Sequence, residues 1–497
     1  MSHATDLRCG HSAASRNAGQ PAGSSAPGPA GQPPEPRAAS GHLDVNPVRW
    51  PDVAAVPRSP IRAAVARLLF ARIAARLALR VTLPSGESFG GGGSDAPVLT
   101  MHRPADFYQR VGAAGLIGFG ESYMAGDWDA DDLTGLLTVL ARQVDGLVPR
   151  RLQWLRNAYV RRQPPDEDAS ETGARRNIRR HYDLSNELFA LFLDETMTYS
   201  AGLFEEDGDG RPAGSGHPRA GPMDRVPARR AASRPPAEAD LAAAQRRKID
   251  RLLDLTRVGP GTSVLEIGTG WGELAIRAAR RGARVRTVTI SAEQRELAIR
   301  RVREAGLADR VSVELLDYRR VTGTYDAILS VEMIEAVAER YWPQYFAALD
   351  RLLAAGGRIG LQAITMPHHR MLATRRTQTW ILKYIFPGGL IPSVTSIEDN
   401  VAAHTGLRVA ERRGFGAHYG QTLRIWRERL LARQSELAQL GFDEVFGRMW
   451  LLYLCYAEAG FRSGYLDVSQ FLLVPGREEA VQGHDEENPG RDPRRAA

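Results

Sequence analysis

The chain has 497 residues, of which 43 % are hydrophobic and 25 % charged, with a formal net charge of +7 and only two cysteines, Cys9 and Cys455. That length implies several domains, and no run approaches the roughly 18 apolar residues of a membrane-spanning helix. Two cysteines exclude a disulfide scaffold and a four-thiolate zinc site, and with no basic-apolar-small leader pattern at the start, a reducing cytosol is expected. Among the basic residues only Lys248 and Lys383 are lysines. The arginine excess reflects either a coding bias or an anionic partner such as membrane phospholipid, nucleic acid or a phosphorylated substrate.

Residues 1–60 are rich in Ala, Gly, Pro and Ser without periodicity and read as disordered. Residues 61–83 read as a basic amphipathic helix. Arg62, Arg72, Arg76 and Arg80 share an arc of about 80°, and Leu68, Leu69, Ile73 and Leu77 form an apolar side. Such a helix either packs on its own domain or lies on a membrane surface. Short strands and helices alternate over 97–145, so 61–150 is expected to be a small α+β accessory domain. Residues 151–203 read as helical, with aromatics at Trp154, Tyr159, Tyr182, Phe189 and Phe192. The 205–238 stretch of Pro, Gly, Arg and Ala reads as a disordered insertion.

A helix is predicted over 240–255, and the pattern then alternates. Strands are expected at 263–267, 284–290, 311–315, 325–330 and 357–363, with helices at 272–281, 292–305 and 341–353. Alternation at this spacing predicts a parallel, doubly wound sheet. A further helix is read over 446–461, and the polar residues from 476 onward read as a loose tail.

Glu266-Ile267-Gly268-Thr269-Gly270-Trp271-Gly272 follows the first strand and opens a helix. Its glycines permit a tight turn and close approach to a ligand. The spacing G-x-G-x-G differs from the G-x-G-x-x-G of pyrophosphate binders. Three features favour S-adenosylmethionine. Glu266 closes strand one near a methionine ammonium. Strand two ends in Thr289-Ile290-Ser291, where a ribose edge lies. Strand three leads into Asp317, placed to accept from an adenine amino group.

The chain over about 100–475 resembles the cyclopropane-fatty-acyl-phospholipid synthases and their mycolic-acid and methyl-branched relatives. The segments that carry this are Arg180-His181-Tyr182-Asp183-Leu184-Ser185-Asn186, Met197-Thr198-Tyr199-Ser200, Val288 to Gln294, Asp317-Tyr318-Arg319, Ser330-Val331-Glu332-Met333-Ile334-Glu335, Lys383 to Gly389 and Phe415 to Tyr419. Gly118 to Met124 resembles the accessory domain of the longer bacterial synthases. The resemblance implies a Rossmann-like methyltransferase sheet with helical lipid-binding additions. It places the methyltransferase domain at 151–475 and the tail at 476–497. It further implies cofactor contacts from Tyr199, Ser200, the loop carrying Glu266, Gly268, Gly270 and Gly272, the Thr289–Ser291–Gln294 segment, and Tyr318 with Arg319.

The expected chemistry is methylation of a cis double bond. An alkene is a poor nucleophile, so the sulfonium must be held in line with it and water excluded. The resulting carbocation is stabilised by aromatic faces and must lose a proton before water adds. By the resemblance the base is a bound bicarbonate, held by Ala201, Glu335, Gln362, Ile364 and Tyr419. Losing the proton from the new methyl closes a cyclopropane, the first expectation. A preceding hydride shift gives a 10-methylene branch, which a separate reductase converts to 10-methyl.

This sequence departs from the synthase pattern. Ala201 stands where many members have Cys, Ala336 and Gln362 replace His, and Ala457 replaces a cysteine once thought catalytic. Gln binds an anion but cannot shuttle a proton, so these changes bear on the product more than on methyl transfer. Cys455 reads as buried and structural. The expected substrate is an unsaturated phospholipid acyl chain at the inner membrane face. It would enter past an exposed apolar loop, Phe386 to Pro392, with Arg375 and Arg376 near anionic headgroups. Two readings compete: a methyltransferase for a small soluble substrate, and an arginine-rich nucleic-acid binder. No nucleic-acid module is present, so no nucleic-acid partner is expected. The resemblance leaves a homodimer open.

Overall fold

The computed structural model describes residues 43–143, 185–206, 212 and 238–476. The expectations for 1–42, for Trp154, Tyr159 and Tyr182, for Arg180 to Leu184, for most of the insertion and for the tail from 477 lie outside these residues. No described helix is long and apolar enough to cross a membrane.

The first segment differs from its disordered reading. Residues 43–59 include a helical turn, Pro51–Ala54, with Val53 fully buried. The Arg110 guanidinium, itself 3 % exposed, donates to the carbonyls of Asp52, Val53 and Ala55 and to Asp127 Oδ2. Trp50 Nε1 donates to Asp443 Oδ2 at 2.8 Å. A few long-range anchors therefore order a stretch whose composition alone argues for disorder.

The helix after it spans Pro60–Ala74, shorter than expected, with Pro at its first turn. Its buried positions are Ala66 and Ala74, whereas Leu68 and Leu69 are exposed and Leu77 is buried beyond the helix end. Small residues make the close contact, so the expected apolar side divides between solvent and core. Strands β1 (Arg80–Thr82), β2 (Ser88–Phe89), β3 (Val98–Met101) and β4 (Trp128–Ala130) then form a sheet of order β2-β1-β3-β4. Only the β1–β3 pair is parallel. Its core runs on into the rest of the chain, because Leu99, Phe107 and Trp128 belong to the same buried cluster as Phe189, Trp426 and Trp450.

The second sheet contains β5 (Ser263–Ile267), β6 (Arg284–Thr289), β7 (Val311–Leu315), β8 (Tyr325–Val331), β9 (Leu353–Thr365), β10 (Leu407–Gly414) and β11 (Asp467–Pro475), in the order β10-β11-β9-β8-β5-β6-β7. The expected βα alternation is present through β9, and β5 to β9 are parallel. The sheet is not wholly parallel, however. β11 runs antiparallel between β9 and β10. Side chains alternate between two cores: Leu265, Ile267 and Ile328 face Trp342 and Tyr345, while Val264, Ala327 and Leu329 face Ile249 and Ala275. Helices thus cover both faces. The chain winds from β5 towards β7 and then crosses to β8, so the carboxyl ends of β5 and β8 form a topological switch point, where such sheets bind ligands.

Of the stretch read as helical, the described residues 185–203 hold one helix, Asn186–Ala190, and residues 191–203 are turns and extended chain. The start of the insertion is held, with Glu205 paired to Arg247, Glu206 to Arg413, and Glu206 bridged to Pro212. The Phe386–Pro392 loop is packed rather than exposed, and Phe386 lies against Tyr453 with ring centroids 5.5 Å apart.

Candidate active site

A cavity of about 210 Å³ opens at the switch point. Its floor is the β5 turn. Gly268, Gly270 and Gly272 have φ values of +98°, +52° and +90°, which side-chain-bearing residues rarely adopt. A Cβ on Gly270 would meet nothing within 4 Å, whereas one on Gly272 would sit 3.2 Å from Ala298. The first position therefore faces open space and the second packs the loop on the following helix. Thr269 Oγ1 and Thr287 Oγ1, 2.7 Å apart, tie the turn to β6. Arg301 donates to the carbonyls of Thr196 and Trp271 and to Glu273, lashing the 196–200 loop to the glycine turn.

Of the expected cofactor residues, Tyr199, Ser200, Glu266, Gly268, Gly270, Thr289, Gln294, Asp317, Tyr318 and Arg319 line this cavity. Gly272 and Ser291 are not among its lining residues. Ser291 is the N-cap of helix Ala292–Glu304, accepting from Gln294 N. Asp317 differs in detail from its expected role. Its carboxylate is gripped by Arg319, with Nε–Oδ1 at 2.8 Å and Nη2–Oδ2 at 2.6 Å. Oδ1 also accepts from Arg319 N–H at 3.0 Å.

Glu266 is 3 % exposed and its Oε2 has no hydrogen-bond partner. Burial pushes its carboxyl up to about 8. An orphaned carboxylate oxygen beside an open glycine turn fits a cationic ligand group such as the methionine ammonium. The residues present therefore fit S-adenosylmethionine. Lys248, which sequence reasoning did not select, also lines the cavity. It is 1 % exposed and its Nζ donates to Ser200 Oγ at 2.6 Å. Desolvation lowers it to about 8 against the pull of Glu332, Asp194, Glu266 and Glu273.

The expected bicarbonate set assembles differently. None of its five residues lines the cavity, but Glu332 does. Glu332 Oε1 accepts from Ala201 N–H at 3.0 Å and Gln362 Nε2 at 2.8 Å, and its Oε2 accepts from the Tyr419 hydroxyl at 2.7 Å. The orientation of Gln362 is dictated by its neighbours. Arg251, a donor only, holds Gln470 Oε1, so Gln470 Nε2 faces Gln362 Oε1 at 3.0 Å. Gln362 must then present its NH2 to Glu332. Ile364 N–H donates to Glu335 Oε1 at 2.5 Å, and Glu335 Oε2 is buried without a partner. Burial and the charge of Glu332 push Glu335 up to about 8. Burial also raises Glu332, while Lys248 and its three donors pull it down. Tyr419 lies well above its ordinary value, first through burial and then through Glu332, and stays a donor. These residues do not fit a bicarbonate: every donor expected to hold it is taken by a resident carboxylate.

Glu332 occupies the left-handed region at φ +48°, as does Met197 at +50°, also on the cavity wall. Such outliers persist only where surrounding structure compels them. The sequence signal for Glu332 was its place at the carboxyl end of β8, in a run otherwise read for Glu335. The signal for Lys248 was its rarity as a lysine. Aromatic rings back the cavity: Tyr199 lies 5.1 Å from Phe189 and 5.3 Å from Trp426 between centroids, and its hydroxyl is 2.6 Å from that of Tyr453. Cys455 is buried, as expected, and burial pushes its thiol up to about 12.

A glycine-turn cavity at the switch point of a seven-stranded sheet with one reversed strand is that of an S-adenosylmethionine-dependent methyltransferase. The family model of mycolic acid cyclopropane synthetase matches residues 169–471, and the chain belongs to that family. It is 56 % identical over 429 residues to the tuberculostearic acid methyltransferase UfaA1 of Mycobacterium tuberculosis, covering 86 % of this chain and 95 % of that protein. It is 32 % identical to the cyclopropane-fatty-acyl-phospholipid synthase of Escherichia coli K12, over 78 % of this chain and 90 % of the relative. Among solved structures, the cyclopropane synthase MmaA2 of M. tuberculosis aligns with a TM-score of 0.50 at 29 % identity, covering 60 % of this chain and 98 % of that one. The mycolic acid cyclopropane synthase CmaA1, complexed with SAH and CTAB, aligns with a TM-score of 0.50 at 28 % identity, over 63 % of this chain and 99 % of that one.

Proposed function

We propose that the protein methylates the cis double bond of an unsaturated fatty acyl chain carried by a phospholipid, and that the product is the methylene-branched chain, which a separate reductase then saturates. When bound, the cofactor supplies an electrophilic methyl group. The remaining work falls to this chain. A heteroatom substrate brings its own lone pair and needs no such help, whereas an alkene needs its cation stabilised and then a proton removed. The observation that carries the reading is that one cavity combines both provisions: an aromatic wall at Tyr199 and Trp271, and the carboxylate of Glu332. The 56 % identity to a tuberculostearic acid methyltransferase supports a branch over a ring. The cyclopropane is the second reading, supported by the E. coli synthase.

Access to lipid fits the helix Pro60–Ala74. Ile61, Val65, Leu68 and Leu69 are exposed on it, and Arg62, Arg67 and Arg72 are exposed beside them, with no acidic residue in the helix. An anionic bilayer suits such a face, each arginine near the surface contributing about 1 kcal/mol. The test is expression in a host supplied with oleate, followed by mass spectrometry of its fatty acids. A gain of one CH2 on the oleoyl chain is expected, with fragmentation at a methylene branch. Oleate recovered unaltered beside a cofactor-loaded protein refutes the reading.

A further inference from the structure

We propose that Glu332 is the base of this enzyme, a carboxylate of the chain itself standing where the family resemblance places a bound bicarbonate, so that turnover needs no added anion. The inference rests on the alkene-methylation reading above and adds to it the identity of the proton acceptor.

Four observations converge. Ala201 N–H, Gln362 Nε2 and the Tyr419 hydroxyl all donate to Glu332, at 3.0, 2.8 and 2.7 Å. A carboxylate and a bicarbonate present the same planar pair of oxygens, so one set of donors serves either, but not both at once. Second, two ionised oxygens offer about four acceptor positions, of which three are filled, leaving one for a proton. Third, Glu332 lines the cofactor cavity while Glu335 does not. Glu335, held near 8 and close enough to feel the charge of Glu332, is largely protonated at neutral pH and is no competitor as base. Fourth, the backbone at Glu332 is left-handed, at φ +48°. A side chain kept there against its conformational preference points to a requirement for that carboxylate. The buried Lys248, among whose closest charges is Glu332, opposes the burial that raises it, and all three partners donate to it, as an ionised carboxylate requires.

The proton step balances without any other reactant. A C–H bond of the transferred methyl breaks, and its proton passes to Glu332. The bonding pair becomes the second bond of the methylene group, or the third ring bond if no hydride shift has occurred. The acid formed returns its proton to solvent before the next turnover.

The experiment uses the full-length protein, S-adenosylmethionine and vesicles of dioleoyl phosphatidylglycerol, in buffer freed of carbon dioxide and again with added bicarbonate. Wild type is expected to turn over at the same rate in both. Glu332→Gln, of equal shape, is expected to lose about 100-fold or more in rate, with affinity for S-adenosylhomocysteine changed less than about threefold, and to release hydroxylated chains as water captures the cation. Glu332→Ala is expected to regain rate with bicarbonate. A binding measurement independent of turnover accompanies these: the 13C resonance of labelled bicarbonate should broaden with Glu332→Ala and not with wild type. Bicarbonate bound by wild type, a bicarbonate requirement, or a Glu332→Gln enzyme of normal rate overturns the proposal. Wild type that leaves the oleoyl chains unaltered while binding S-adenosylhomocysteine refutes the alkene reading instead.

Discussion

Gly120 sits in the middle of helix Leu116–Met124, where alanine ordinarily stabilises by about 1 kcal/mol. Here the opposite is expected. A Cβ at Gly120 would lie 2.3 Å from Cδ1 and 2.7 Å from Cγ of Trp380. Ordinary carbon contact begins near about 3.6 Å, so the indole must retreat by about 1.3 Å. It cannot do so freely. Trp380 is 5 % exposed, its Nε1 reaches Met124 Sδ at 3.3 Å, and its helix is pinned by Lys383 and Tyr384 to Glu121 at 2.5 and 2.8 Å. Overpacking of this kind costs about 1–3 kcal/mol, and the rigid partner puts it near the upper end. Gly120→Ala should therefore destabilise by about 1–2 kcal/mol net, read from urea midpoints followed by circular dichroism. In a Trp380→Leu background the same change should become neutral or stabilising, giving a coupling of about 2 kcal/mol across the cycle. If Gly120→Ala stabilises both backgrounds alike, the close contact is not what excludes a side chain there.

Other outcomes follow from the buried groups. His418 Nδ1 accepts from Phe204 N–H at 3.0 Å, and burial lowers its pKa to about 4. The unfolded chain takes this proton near pH 6.5, above the folded one. The imidazole thus contributes fully above about pH 6.5, and roughly 3 kcal/mol is lost as the pH falls through 4. His418→Gln should flatten that acid limb in pH-dependent denaturation, and an unchanged limb contradicts the assignment. Glu266→Gln keeps the shape of the cavity but cannot ionise to meet a cationic group, and should weaken S-adenosylhomocysteine about tenfold by calorimetry; equal affinity would mean that the orphaned oxygen does not meet the ligand. Cys455→Ser should retain methyl transfer, and peptide mapping after native alkylation should find Cys455 unlabelled; fast labelling would place it at an accessible site.

The parts of the fold legible in the sequence are those whose information is local. Strands β5 to β9 are short apolar runs separated by helices, and the glycine turn follows the first of them directly. β10 and β11 were not legible. Leu407–Gly414 is half charged, as an edge strand allows, and Asp467–Pro475 runs opposite to its neighbours, which the βα alternation cannot express. The cofactor wall was largely readable because its residues follow strand ends in order. The proton-accepting corner was not, because Glu332 meets partners 131, 30 and 87 residues away in the chain. Nothing near Glu332 in the sequence announces that its backbone turns left-handed. Residues 43–59 misled for the same reason: Trp50 and Val53 find their partners far along the chain.

The shared core of the amino-terminal sheet has a practical meaning for anyone wishing to recombine these enzymes. Helix Glu444–Arg462 sends Arg448 to the carbonyls of Tyr123 and Trp128, and its Glu458, wholly buried, accepts from Thr134 as well as Arg427. Trimming the chain to the stretch common to its shorter relatives would bare a charged and aromatic seam cut for contact, not for water. A chimera that keeps its solubility will have to inherit both sides of that seam from one parent.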